Sequence, residues 1–223
     1  TRSIGTVDSE RIDVTVTHGV NNRLLSFGVD VSGDLKVTGV VETLTVAASY
    51  EVDTEFLPHR FQVYSYPVAS QIADKICAMY ERHGRDLAST RHHDLADLLL
   101  LEDHFPIDHD VTVAAIDNQK RVREGLVLPA QLIAPDPDWY TKWPKIAATS
   151  QLPASLHDLN AALAHGRRCY DTLLQADATA APQHLTWTPS ELSWNPHTPR
   201  TEHTAPSASS ESAAASSRRS PVR

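Results

Sequence analysis

Lys75, Arg91, Asp94 and Asp97 are the residues whose types and spacing suit chemistry on phosphate. Lys75 lies in the run from Tyr66 to Met79, where Ile72, Ala73, Ile76, Cys77 and Tyr80 recur at helical spacing. Pro67 stands where a first helical turn tolerates it. A second helix follows, with Ser89 or Thr90 as its cap and Leu95, Leu98 and Leu99 as its apolar stripe. Arg91, Asp94 and Asp97 fall three residues apart, so two carboxylates and a guanidinium share one edge of that helix. A compact ammonium beside such an edge serves as a point charge on phosphate oxygens. The bland alternative is a Lys that snorkels beside its apolar stripe, with Arg91 and Asp94 as an ordinary helix-face ion pair.

Asp30 carries the next candidate role. In Phe27-Gly28-Val29-Asp30-Val31 the carboxylate points to one face of a strand while Val29 and Val31 point to the other. A carboxylate buried in an apolar strand needs a partner or a metal, which makes Asp30 a candidate ligand; the alternative is an Asp facing solvent. The histidines offer a rival chemistry. His83, His92, His93, His104 and His109, with Asp94, Asp97, Asp103 and Asp108 nearby, are the residue types of a transition-metal hydrolase, although their spacing fits no ligand motif.

The elements that position these residues read as α+β: sheet first, helices later. Arg11–His18 and Arg23–Ser32 alternate around Gly19-Val20-Asn21-Asn22, a hairpin pattern. The stretch 35–50 supplies one or two further strands, and Arg60–Tyr66 another before the Lys75 helix. Helices are expected over about Asp110 to Arg123 and Ser155 to Leu174, joined by a Pro-punctuated connection that runs through Trp143. Trp139, Tyr140 and Trp143 are expected to anchor that connection on the core. The organisation is thus a sheet over 1–66, a helical lobe over 67–174 and a disordered Pro/Ser/Ala-rich tail over 175–223, with Trp187 and Trp194 as isolated aromatics in a mobile segment.

Composition bounds the remainder. A chain of 223 residues suffices for one ordinary core, and a net charge of −8 argues against a uniformly basic nucleic-acid binder. Two cysteines without metal spacing, no apolar run of membrane length and no leader pattern point to a cytoplasmic protein.

The runs VYSYPVASQIADKICAM (63–79) and STRHHDLADLLLL (89–101) resemble a segment of the AbiEii/AbiGii nucleotidyltransferase toxin family, V-Y-P-x-E-x-x-I-A-[DE]-K-L-x-A followed by [NS]-[ST]-R-x-[KR]-D-L-x-D-L. Residues 12–34 are similar to that family's hairpin with its Φ-x-I-D-V-S-x-G-D strand, and 114–148 to its helical lobe, so the resemblance covers about residues 12 to 174. It implies a polymerase-β-like nucleotidyltransferase that uses Mg²⁺ and a nucleoside triphosphate to modify an acceptor, in some members the tRNA 3′ end. It also implies an antitoxin partner. By that resemblance Asp30 is the metal ligand, Lys75 faces the triphosphate, Asp94 orients Lys75 or acts as a base, and Arg91 shares the pocket. Asp97, one turn further on, is expected to cap or pair structurally.

The sequence departs from the pattern in lacking the Gly-Ser or Gly-Gly helix opening and the paired D-x-D carboxylates. Ala69 and His93 also replace a frequent Glu and a basic residue. One carboxylate does not hold two metals, so the chain is expected to be a truncated or decayed copy. A non-catalytic remnant, or a module binding antitoxin or RNA, is the alternative expectation.

Overall fold

The computed structural model describes residues 9–19, 22–32, 37–47, 59–82, 84, 87–123 and 125–197. Strands β1 (Ser9–His18) and β2 (Asn22–Ser32) form an antiparallel hairpin. Gly19 turns it with φ 69°, a left-handed conformation that favours glycine. Strands β3 (Glu42–Ala47) and β4 (Arg60–Ser65) form a second antiparallel pair. The first hairpin is sharply two-faced. Ile12, Val14 and Val16 stand opposite Val29, Phe27 and Leu25, while Arg11 and Thr15 on the other face oppose Asp30 and Ser26. The apolar face stays exposed, including Phe27 at 49%. The expected sheet therefore exists as two separate ribbons among the described residues, α+β in class.

The core belongs to the helices. Helix α1 (Val68–Tyr80) and α2 (His92–His104) pack Ile72, Ile76 and Met79 with Leu95, Leu98 and Leu99, all without solvent exposure. The segment before β3 is tied to this pair: the Ser70 hydroxyl donates to the Thr38 carbonyl at 2.7 Å and accepts from its N–H at 2.8 Å. Helix α3 (His109–Val122) is capped by the Asp108 carboxylate, which accepts from the Val111 N–H at 2.9 Å. Helix α5 (Leu159–Leu174) is capped likewise by Asp158. Gly166 lets α5 approach closely, because a Cβ there would lie 2.7 Å from Leu132. Cys77 and Cys169 are buried and unpaired; burial pushes the Cys77 thiol up to about 12, so neither behaves as a reactive thiol.

Three expectations change. The Pro-rich connection is a helix, α4 (Asp138–Thr149), with Pro137 at its cap and Pro144 inside it. Trp139, Trp143 and Ala147 recur every fourth residue and are buried, and the two indoles donate to the Ser89 and Leu156 carbonyls at 3.1 and 2.9 Å. Tyr140, expected to pack with them, is 49% exposed because it faces away from that stripe and bonds Asn160 at the surface. Finally, the disordered tail does not begin at Gln175. Strands β6 (Leu185–Thr188) and β7 (Ser193–Pro196) join the two-residue strand β5 (Ile107–Asp108) in a third sheet. Trp187 is buried there, with its indole N–H on the Glu102 carbonyl at 2.7 Å. Two indoles supply the apolar area that the surrounding Pro, Ser and Thr lack.

Asp110 fastens this C-terminal ribbon, accepting from the Gln183 and His184 N–H groups at 3.0 and 2.9 Å. Burial opposes the charge, but hydrogen bonds from His109 and these two amides outweigh it and hold the carboxyl below its ordinary 3.8. A depressed carboxyl stabilises the fold above its unfolded value, and that contribution disappears as pH falls through the lower folded value. Asp110→Ala is therefore expected to cost about 1–2 kcal/mol in urea melts at pH 7. The deficit should shrink as pH drops below 4; an equal deficit at pH 3 and pH 7 would contradict the clamp.

Candidate active site

Lys75 leaves α1 beside the buried Ile76 and reaches the first turns of α2. Its Nζ lies 2.5 Å from Asp97 Oδ2 and 3.8 Å from Asp94 Oδ1. Arg91, at the helix cap, holds Asp94 Oδ2 at 3.7 Å. The helix starts at His92 and not directly behind Ser89, whose hydroxyl accepts instead from the Arg91 N–H at 3.3 Å. Four sequence-selected residues thus form two cations and two anions on one rim between the helices.

Burial grades them. The Asp94 side chain is 12% exposed, Lys75 22% and Asp97 46%. Burial raises the Asp94 carboxyl above its ordinary value, while Lys75 and Arg91 pull it back. Among the described residues Asp94 Oδ2 has no hydrogen-bond partner, so its charge is balanced there only at ion-pair distance. Asp97, set aside as structural by sequence, is the closer anchor of Lys75. Neighbouring Asp74 serves another purpose: it accepts from the Tyr66 hydroxyl at 2.6 Å and pairs with Arg123 at 3.7 Å on the α3 side. An ammonium has three donors; one is given to Asp97, while Asp94 at 3.8 Å acts by charge alone, so donors remain for an anion. Such a group can bind an anion without first reorganising.

Asp30 stands apart. It lies on the polar face of the β1–β2 hairpin and is bound to Arg11 at 3.3 Å, with its side chain 66% exposed. Arg11 also reaches Asp13 at 3.4 Å and lies over Gly28, where any Cβ would meet its guanidinium. Among the described residues no interaction joins Asp30 to Lys75, Asp94 or Asp97. The arrangement does not fit Mg²⁺, which requires near-octahedral oxygens: a guanidinium already fills the space between the two carboxylates.

Among the described residues the histidines of that hypothesis share no centre. His92 packs against Trp139 with ring centroids 4.5 Å apart and planes tilted by 43°, and burial lowers its basicity. His104 bonds the Leu100 carbonyl, and His109 bonds Asp110 at 2.8 Å. His83 lies outside the described residues. The described residues do contain one group with metal-binding potential, Glu102, Asp103 and His165, whose ligand atoms lie within 4.8 Å of one another. Sequence spacing could not reveal it, because His165 comes from α5, and only packing brings it to α2.

No helix among the described residues is long and apolar enough to cross a membrane. A search of curated proteins returns no match for the chain. The family model described as nucleotidyl transferase AbiEii toxin, type IV toxin–antitoxin system, matches residues 3–165, spanning both hairpins and the Lys75 rim. That span is well over half of the sequence, and the chain therefore belongs to the AbiEii nucleotidyl transferase toxin family.

Proposed function

We propose that the protein acts as the nucleotidyltransferase toxin of an AbiEii-type pair, moving a nucleotide from a nucleoside triphosphate to an acceptor such as the tRNA 3′ end. Family membership implies an antitoxin as partner and carries the expectation of a divalent metal. The observation that carries the reading is Lys75, held between Asp94 and Asp97 on a partly open rim within the matched segment.

In this reading the Lys75 ammonium binds the triphosphate, and Arg91 adds charge to the same rim. Asp97 holds the Lys75 rotamer. Asp94, more buried, orients the ammonium or acts as a base. The metal would neutralise phosphate charge when bound; with Arg11 seated on Asp30, no step is assigned to an ion there. The test incubates the chain, and a version extended upstream, with labelled nucleoside triphosphates and total tRNA. Label should enter tRNA with at least one of the two proteins. No label from either, with folded protein in the assay, would overturn the reading.

One observation favours a second reading, a non-catalytic antitoxin-binding module. The first hairpin exposes Ile12, Val16, Leu25, Phe27, Val29 and Val31 on a single face. Contiguous apolar surface of that kind marks protein contacts. Stable co-purification with the antitoxin, together with no transfer in the assay above, would decide for it.

A further inference from the structure

Glu102, near the end of α2, is fully buried, yet among the described residues neither carboxylate oxygen has a hydrogen-bond partner. A buried carboxylate that accepts no hydrogen bond is costly, so such a group is stabilised by a cation. His165 Nε2 lies 3.2 Å from Glu102 Oε1 and 2.9 Å from Asp103 Oδ1. Donor atoms bound to one metal at about 2.1 Å stand about 3.0–3.4 Å apart at the edges of an octahedron or tetrahedron. The two distances from His165 therefore match edges of such a polyhedron, and all three donors lie within 4.8 Å of one another.

We propose that Glu102, Asp103 and His165 form a binding site for a transition-metal dication of the Zn²⁺ type, separate from the Lys75 rim. The site lies eight and nine residues beyond Asp94 on α2, about 12–13 Å along the helix. One imidazole nitrogen with two carboxylates selects a transition metal over Mg²⁺, which prefers oxygen alone. Because His165 belongs to α5, the ion would cross-link the end of α2 to α5, and water would complete its coordination. Arg168 positions the ring. Its guanidinium contacts His165 Nδ1, and because it can only donate, it places the ring proton on Nε2 in the metal-free protein. Metal binding at Nε2 displaces that proton, and the exposed Arg168 must turn away so that Nδ1 can carry one.

The test uses the full chain, stripped with chelator and titrated with Zn²⁺ by calorimetry, with Co²⁺ absorption as a signature of ligand type. One equivalent should bind, the Co²⁺ complex should show visible bands, and saturating Zn²⁺ should raise Tm by about 5 °C. Glu102→Gln and His165→Gln should each weaken binding by about tenfold or more. Arg168→Ala should bind Zn²⁺ at least as tightly as the wild type, and Lys75→Met should leave the affinity unchanged. If either core variant fails to fold by circular dichroism, Asp103→Asn, at a more exposed ligand, should show the same loss. Absence of stoichiometric Zn²⁺ binding, or affinity unaltered in the ligand variants, would overturn the proposal whatever the transfer assay reports.

Discussion

Lys75→Met should reduce nucleotide transfer by about a hundredfold or more while leaving the helical lobe folded. Electrostatic donors aimed at developing charge are commonly worth about 10²–10³ in rate when removed. Methionine keeps most of the aliphatic length of this largely covered side chain, so the loss should fall on charge and not on volume. The variant leaves Asp94 buried with Arg91 alone as counter-charge at 3.7 Å. Its carboxyl should then rise further than in the wild type, a difference that NMR titration would read. Lys75→Arg is informative beside it: a planar fork cannot reproduce the 2.5 Å contact to Asp97 and the 3.8 Å approach to Asp94 from the same stem. Transfer should stay well below wild type in Lys75→Arg. Full activity in Lys75→Met would remove the lysine from the chemistry and leave an ordinary inter-helix ion pair.

The second large effect is on stability. Trp187→Ala should destabilise the protein by about 3–5 kcal/mol, the usual cost of emptying a buried aromatic site. Trp187 is 1% exposed, and its removal also leaves the Glu102 carbonyl without its 2.7 Å indole donor. Trp194 stands edge-on to it with centroids 5.8 Å apart and donates to the Cys169 carbonyl at 3.0 Å, so one substitution loosens the whole ribbon. Urea melts followed by tryptophan fluorescence and far-UV circular dichroism measure the cost. A change below 1 kcal/mol would mean the ribbon is not part of the cooperative core.

Much of this architecture was legible because it is local. The first hairpin follows from alternation and from Gly19, and the α1–α2 pair follows from apolar periodicity. Which carboxylate meets Lys75 most closely was not legible. The helix edge offers Asp94 and Asp97 equally, and the choice depends on how Ile72, Ile76 and Met79 seat on Leu95, Leu98 and Leu99. Helix α4 had its signal in Trp139, Trp143 and Ala147, but Pro135, Pro137 and Pro144 spoke against it. Pro137 falls at the cap, where no N–H is required, and Pro144 frees only the carbonyl of Tyr140, a residue half open to water. The last ribbon was hidden by composition. Two indoles among Pro, Ser and Thr do not look like a core until helices supply the other wall.

The C-terminal ribbon also imposes an order on synthesis. The Lys75 rim is complete once α2 has been made, since Lys75, Arg91, Asp94 and Asp97 all come from 68–104 and its cap. The wall behind Glu102 cannot close until Trp187 and β7 emerge, after α5 has ended at Leu174. At about 5–20 residues per second, the interval from Leu174 to Pro196 lasts roughly one to four seconds. During that time the nascent lobe carries an assembled charged rim on an unsealed apolar interior. A chaperone or a cognate protein that captures this interior would meet the polypeptide before its fold is locked.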